Sequence, residues 1–277
     1  MADPSDPLRN ATRVAKAEAA FRARLAKAQR DVHEFVKQEY SFELDEARVL
    51  AIGDDIRTMV DEQVIGERWL FENYVKESYA AGTARTFSNL AVQSAIYKDA
   101  RRDVLSLYMS QPYQNRIGLV NARVFEEMKG FSGELGNKLA ATFARAVGDG
   151  LGVRDVAAQI KQNFEVTEYR AERIARTEIN TALNRARIDE SESASALIGL
   201  EIKLMHVAAF MPTSRAWHIA RHGTLHTPDE QRLWWSVDGN AINCFCTTVE
   251  IIIGSDGKPL APGLITQAQK LKEEMQA

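Results

Sequence analysis

No proline interrupts the chain between Pro7 and Pro112, and only Gly53, Gly66 and Gly82 stand in that interval. Proline ends helix interiors because it lacks an N–H and clashes with the preceding turn. So long an interval without it is free to run as helix. The spacing agrees over residues 10–40, where Val14, Phe21, Ala28 and Phe35 recur every seven positions and Leu25 and Val32 lie beside them. The stripe is narrow and its flanks are charged or polar. Such a helix needs a partner helix, from this chain or from another subunit. The interval is expected to form several long helices with short breaks near its three glycines. Trp69, Phe71, Tyr74 and Tyr79 read as core.

At Gln111-Pro112 the pattern changes. Gly130, Gly133, Gly136, Gly148, Gly150 and Gly152 follow, and short helices separated by glycine turns are expected there. Helical spacing returns over Leu151–Phe164. Thr167 is placed to cap a further helix from Glu168 to about Ser195. Beyond Gly199 the texture becomes strand-like. Glu201–Met205 alternates, and Thr247–Ile253 is rich in β-branched residues. The expected fold class is therefore α+β, a mainly helical body with a small mixed C-terminal region holding a few antiparallel strands. The boundaries read as 1–110 for a long-helix, partner-binding region. Residues 111–262 form a second region, helical over 111–195 and mixed over 196–262, and 263–277 a polar tail.

Composition narrows the function. With 45% hydrophobic and 26% charged residues the chain can bury a core, which sets it apart from disordered sequences. No apolar run approaches the ~20 residues of a membrane span, and no membrane partner is expected. Cys244 and Cys246 are the only cysteines, which excludes a disulfide framework and points to a reducing compartment. The net charge of −3 hides a segregation: Arg9–Arg30 carries seven bases and one acid, whereas Asp31–Glu77 carries thirteen acids and five bases. The basic residues Arg13, Lys16, Arg22, Arg24, Lys27 and Arg30 could meet nucleic-acid phosphates. The plainer reading is that the two segments pack on each other.

Two constellations carry chemistry. In the helix Arg170–Arg187, Ala171, Ile174, Ala175, Ala182 and Ala186 form a small-residue face, and Glu178 falls within it with Arg185 close to the same line. A carboxylate there must be paired or hydrogen-bonded. Glu178 or Arg185 is expected to reach a polar group in residues 200–250, fixing how two elements dock. In the second constellation, a short helix opened by Pro212 and Thr213 and closed by Gly223 would place His218 and His222 on one face. An extended Cys244-Phe245-Cys246 would turn both thiols to one side. Two imidazoles and two thiolates complete a tetrahedral Zn²⁺ site, with His206 or His226 able to replace His222. The alternative is a pair of buried thiols beside a hydrogen-bonded His218. No P-loop, H-E-x-x-H or G-x-S-x-G occurs, so no catalytic residue is assigned.

At these residues the sequence resembles the head morphogenesis (minor head protein) family of tailed bacteriophages, named after the F protein of phage Mu. Three blocks match in order: Gly150–Phe164; the I-A-R-T-E core at Ile174–Glu178, containing Arg176, with Asn184 downstream; and Arg215, His218 and Gly223 followed by Asn243, Cys244 and Cys246. The acidic residues common before the Arg–His block are replaced here by Phe210–Thr213. Phe245 stands where the family's cysteines usually bracket an arginine, and His222 matches no family position. The first 110 or so residues match nothing.

The resemblance implies a structural virion component rather than an enzyme. It would be associated with the portal protein in the head interior or at the portal vertex and linked to head assembly and DNA packaging or delivery. Scaffold or major capsid protein and packaged double-stranded DNA are further partners it suggests, with host cytoplasm as the place of assembly. No small-molecule substrate and no cofactor are expected, a structural zinc aside. Two other function classes stay in view: a zinc-dependent enzyme or toxin-like effector built on His218, Cys244 and Cys246, and a non-specific DNA-binding virion protein acting through residues 9–30.

Overall fold

The computed structural model describes residues 3–41 and 43–276. Ten α-helices and three strands are found among the described residues. Helix α1 (Ala11–Glu39) is followed by α2 (Glu46–Val64), a 3-10 turn at Gly66–Arg68 and a π-helical turn at Phe71–Val75. Then come α3 (Lys76–Gln93), α4 (Ala95–Arg101), α5 (Val104–Tyr108), α6 (Gln111–Gly148) and α7 (Val153–Ile198). The mixed region runs β1 (Ile202–Val207), α8 (Ala216–Ala220), β2 (Leu225–His226), α9 (Pro228–Ser236), β3 (Thr247–Ile252) and α10 (Pro262–Gln276). The expected α+β class is what forms. No helix among the described residues is long and apolar enough to cross a membrane.

The chain folds as two compact units, each assembled from separated segments. One comprises Val14–Tyr74 and Asn121–Arg176. In it α1 buries Val14, Ala17, Phe21, Leu25, Ala28, Val32 and Val36. The seven-residue repeat expected from sequence would have chosen Phe35. A straight helix drifts by ~20° per heptad against such a repeat, so the stripe moves on to Val36 and leaves Phe35 half-buried. The partner helices come from this chain: the Phe21 ring meets Trp69 and Phe131 edge-on, both at 5.3 Å between centroids.

Glycine broke the helices at only some of the expected places: the chain turns between α6 and α7 over residues 148–152, with Gly150 at φ +68°. Gly130, Gly133 and Gly136 all lie inside the single helix α6, and Gly53 lies inside α2. Gly53 and Gly136 give close approach instead: a Cβ on Gly136 would stand 3.3 Å from the Arg57 Cα, and one on Gly53 3.4 Å from the Ala140 Cβ. A helical glycine costs only ~1 kcal/mol, which packing overrides. The break near Gly66 does form, with Glu67 and Arg68 taking left-handed φ values. Thr167 likewise caps nothing. It sits within α7 and donates back to the Asn163 carbonyl at 2.6 Å.

The other unit comprises the N-terminal residues through Arg13, Val75–Val120 and the chain from Thr177 onward. Gly82 packs here, inside α3, and Gly199 at φ +66° ends α7 in the left-handed conformation that glycine tolerates. The sheet has order β2-β1-β3, all antiparallel, with Leu204 opposite Glu250 and His226, and Val207 opposite Thr247. Alternation gives the sheet two faces. Ile202 and Ile252 pack with Leu90, Tyr97 and Ala194. Met205 and Ile251 pack with Ala268, Leu264 and Ile265 of α10. The polar C-terminal tail forms α10, which covers one face of the sheet, and Lys272 donates to the Ala220 carbonyl at 2.6 Å.

Candidate functional site

The second half of α7 carries a polar stripe at Thr177, Asn180, Asn184 and Arg187, spaced three, four and three residues apart so that all share one face. Every member binds the segment before or within β3. Thr177 Oγ1 accepts from the Asn243 N–H at 3.1 Å, and Asn180 Nδ2 donates to the Cys244 carbonyl at 3.0 Å. Asn184 Nδ2 donates to the Cys246 carbonyl at 2.8 Å, and its Oδ1 accepts from the Thr247 hydroxyl at 2.8 Å. Arg187 meets Glu250, which also accepts from Thr86 Oγ1 and Asn89 Nδ2, each at 2.8 Å. Asn243 holds φ +55°, a conformation asparagine adopts more readily than most residues. Burial alone would raise the Glu250 carboxyl; the Arg187 guanidinium reverses this and leaves it below its ordinary value.

This clamp presents the two cysteine sulfurs to His218. The Nδ1 atom of His218 lies 3.5 Å from Cys244 Sγ and 3.4 Å from Cys246 Sγ, and the Cys246 N–H points at Cys244 Sγ at 3.4 Å. Hydrogen bonding from Cys246 holds the Cys244 thiol well below its usual pKa, and the same bond together with burial pushes Cys246 up. His206 joins from β1: it, His218 and Cys246 each offer a ligand atom within 4.8 Å of one another. Trp234 walls the cluster, its ring 4.9 Å from His206 and 4.6 Å from His218. Burial and the nearby Arg221 and His218 keep the His206 pKa well below normal.

Arg215 closes the far side. It caps α8, places Nη1 3.2 Å from His218 Nε2 and 3.0 Å from the Gly239 carbonyl, and binds the Ile242 carbonyl through Nη2. Trp234 and Gln231 lie on α9. Thr227 and Glu230 start that helix with a reciprocal capping box, and Pro228 stands in the first turn. The T-P-D-E run was a readable start signal, as was the three-four-three polar stripe on α7.

The structure brings together His218, Cys244 and Cys246, and sets His222 apart. Helix α8 starts at Ala216, four residues after Pro212, and ends at Ala220. His222 therefore lies in the turn that Gly223, at φ +78°, completes. Its Nδ1 accepts from the Ala208 N–H at 3.1 Å. It lines a separate groove of about 570 Å³ beside the sheet, with Arg9, Arg85, Val207 and Leu264. Burial, then the nearby Arg187 charge, lowers the Arg85 pKa to about 10. His226 is half-buried and bonds Thr224.

Glu178 is buried. Arg185 turns back along its own helix, with Nε 3.0 Å from Asp189, and Asn180, Asn184 and Arg187 make the contacts to residues 244–250 described above. Arg176 pairs with Glu18, Nε to Oε1 at 2.8 Å.

Of the basic set on α1, four members are engaged within the chain. Arg13 faces Glu77 at 3.6 Å. Arg22 pairs with Glu172 and lies 3.8 Å from Glu168. Arg24 donates to the Gln63 carbonyl at 3.0 Å and stacks over Trp69, and Lys27 bonds Asp31 at 2.8 Å. Lys16 and Arg30 are exposed.

No curated protein and no solved structure matches the chain. A family model does match residues 137–249, a span that runs from the second half of α6 through the α7 stripe, the histidines and the cysteine pair into β3. That model describes phage Mu protein F like proteins, and residues 137–249 of this chain are similar to that family.

Proposed function

We propose that this protein is a structural minor head protein of a tailed phage. It assembles with the portal inside the head and takes part in head assembly and DNA packaging or delivery. The observation that carries the reading is the family match over residues 137–249, which contains the α7 stripe and the cysteine pair it clamps. The character of that centre supports it. His206, His218, Cys244 and Cys246 are all buried, an arrangement suited to holding elements together rather than to admitting a substrate. Helices α3 to α6 add a second support: Val92, Ile96, Leu105, Met109 and Leu119 are exposed there, and exposed apolar side chains are surface that a partner can cover. Scaffold, major capsid protein and packaged DNA are secondary partners in this reading, and the virion is its location.

Co-expression with a portal protein from the same phage tests the reading. The expected result is a complex that co-elutes on a sizing column and is weakened by Ile96→Lys with Met109→Lys. Two separate peaks at micromolar concentration, with the folded chain absent from purified virions, would overturn it.

A further inference from the structure

We infer that His206, His218, Cys244 and Cys246 form a closed, structural Zn²⁺ site. The inference stands apart from the reading as a head protein, since it concerns how the C-terminal region is held together whatever that region docks onto.

The donor set comes first. Two imidazole nitrogens and two thiolate sulfurs suit a borderline-soft, tetrahedral cation, and do not suit Mg²⁺ or Ca²⁺, which require oxygen. The distances come second. Around zinc, with Zn–S bonds of ~2.3 Å and Zn–N bonds of ~2.0–2.1 Å, the N–S edges of the tetrahedron measure about 3.5 Å. His218 Nδ1 stands 3.5 and 3.4 Å from the two sulfurs, so two edges of the tetrahedron are in place. His206 supplies the fourth corner. It is fully buried, its Nε2 has no hydrogen-bond partner, and its ligand atom lies within 4.8 Å of those of His218 and Cys246. An unpaired buried ring nitrogen is unfavourable, and coordination removes that cost.

The surroundings fit a structural site. The Gln231 amide nitrogen lies 3.3 Å from His206 Nδ1; with that amide turned so that its oxygen accepts the Nδ1 proton, it becomes the outer contact that fixes the ring of a metal-binding histidine. Asn180 and Asn184 hold the carbonyls of both cysteines, which orients the sulfurs. The four ligands come from β1, α8 and the segment leading into β3, so one ion ties together elements that are far apart in sequence. Trp234 and the burial of all four residues exclude an open coordination position, which a catalytic zinc would need.

Binding converts each thiol to a thiolate, and the sulfur-bound protons pass to solvent. Coordination through Nδ1 leaves the His218 ring proton on Nε2, facing Arg215. The ion thereby releases Arg215 from His218, while its bonds to the Gly239 and Ile242 carbonyls remain.

The test uses the full, untagged chain purified under reducing conditions. Elemental analysis is expected to find about one zinc per chain. Replacing zinc with Co²⁺ should give the intense visible bands of a tetrahedral site and sulfur-to-metal charge transfer. His206→Ala and Cys246→Ser should abolish the stoichiometric metal, whereas His222→Asn should keep it. Gln231→Leu should weaken binding roughly 10- to 100-fold. Should the ligand variants fail to fold, the Co²⁺ spectrum of the parent and of His222→Asn still decides. A parent chain that takes up neither Zn²⁺ nor Co²⁺ and keeps its Tm in chelator overturns the site. Octahedral Co²⁺ bands, or loss of metal in His222→Asn, overturn the ligand set.

Discussion

Arg187 reaches Glu250 through two hydrogen bonds, Nε to Oε1 at 2.9 Å and Nη2 to Oε2 at 2.8 Å, with the Glu250 side chain wholly out of solvent. The pair joins α7 to the central face of the sheet, and Thr86 and Asn89 of α3 satisfy the same carboxylate. Breaking a buried pair strands a charge and costs about 3–5 kcal/mol. Glu250→Ala should therefore lose stability on that scale by urea denaturation. Replacing both partners with apolar residues of similar volume should recover most of it, because no charge is then left unpaired.

Asn184 satisfies two groups that no water reaches, the Cys246 carbonyl and the Thr247 hydroxyl. Asn184→Ala leaves both unpaired, at about 1–3 kcal/mol for a buried polar group. The measurement is the urea midpoint. The same substitution at Arg185, which is half-exposed and bonds only along its own helix in the contacts described above, should shift it by less than half as much.

Glycine replacement should give opposite signs at different positions. A Cβ on Gly82 would lie 2.3 Å from the Leu183 carbonyl oxygen and 2.8 Å from the Ala186 Cβ. Backbone cannot step aside as a side chain can, so Gly82→Ala should destabilise by about 1–3 kcal/mol. Gly130 and Gly133 have nothing within 4 Å of the added carbon. Alanine there should stabilise α6 by about 0.5–1 kcal/mol each. Thermal denaturation of the three single variants checks all of this.

Acid should weaken the unit that contains the sheet in two stages. Burial, aided by Lys272, holds the His222 imidazole below its ordinary value of 6.5. Below that pH the unfolded chain takes up a proton that the folded chain refuses, so stability falls as pH drops through 6.5. Glu250, held below 4.5 by Arg187 against the pull of burial, acts lower down: its contribution is present above pH 4.5 and is lost as the carboxyl protonates. Denaturant midpoints measured from pH 7 to 4 should decline throughout. His222→Asn, which can still accept from the Ala208 N–H, should flatten the upper part of that decline.

Strong local signals in the sequence correspond to elements of the fold, and weak ones do not. The α1 stripe, the strands at Ile202–Val207 and Thr247–Ile252, and the meeting of His218 with both cysteines follow from periodicity and spacing. The glycines of α6 suggest turns because each disfavours helix slightly; that preference is too small to break the helix, and at Gly136 the close approach of Arg57 makes use of the missing side chain. Nothing in the local sequence marks Glu250, a single acid in a β-branched strand, as buried. Only the arrival of Arg187, Thr86 and Asn89 from helices remote in sequence makes its burial tolerable.

The amino-acid order by itself determined the long helices, the small antiparallel sheet and the phage Mu F-like blocks, since caps, periodicity and motif spacing act within a few turns of chain. Tertiary structure alone decided that His206 rather than His222 joins His218 and Cys246, that Asn180, Asn184 and Arg187 do the bracing, and that each compact unit draws on separated segments. Those outcomes depend on which surfaces meet after the long helices turn back, and such meetings are set by burial and hydrogen-bond satisfaction summed over distant residues, which no local pattern encodes.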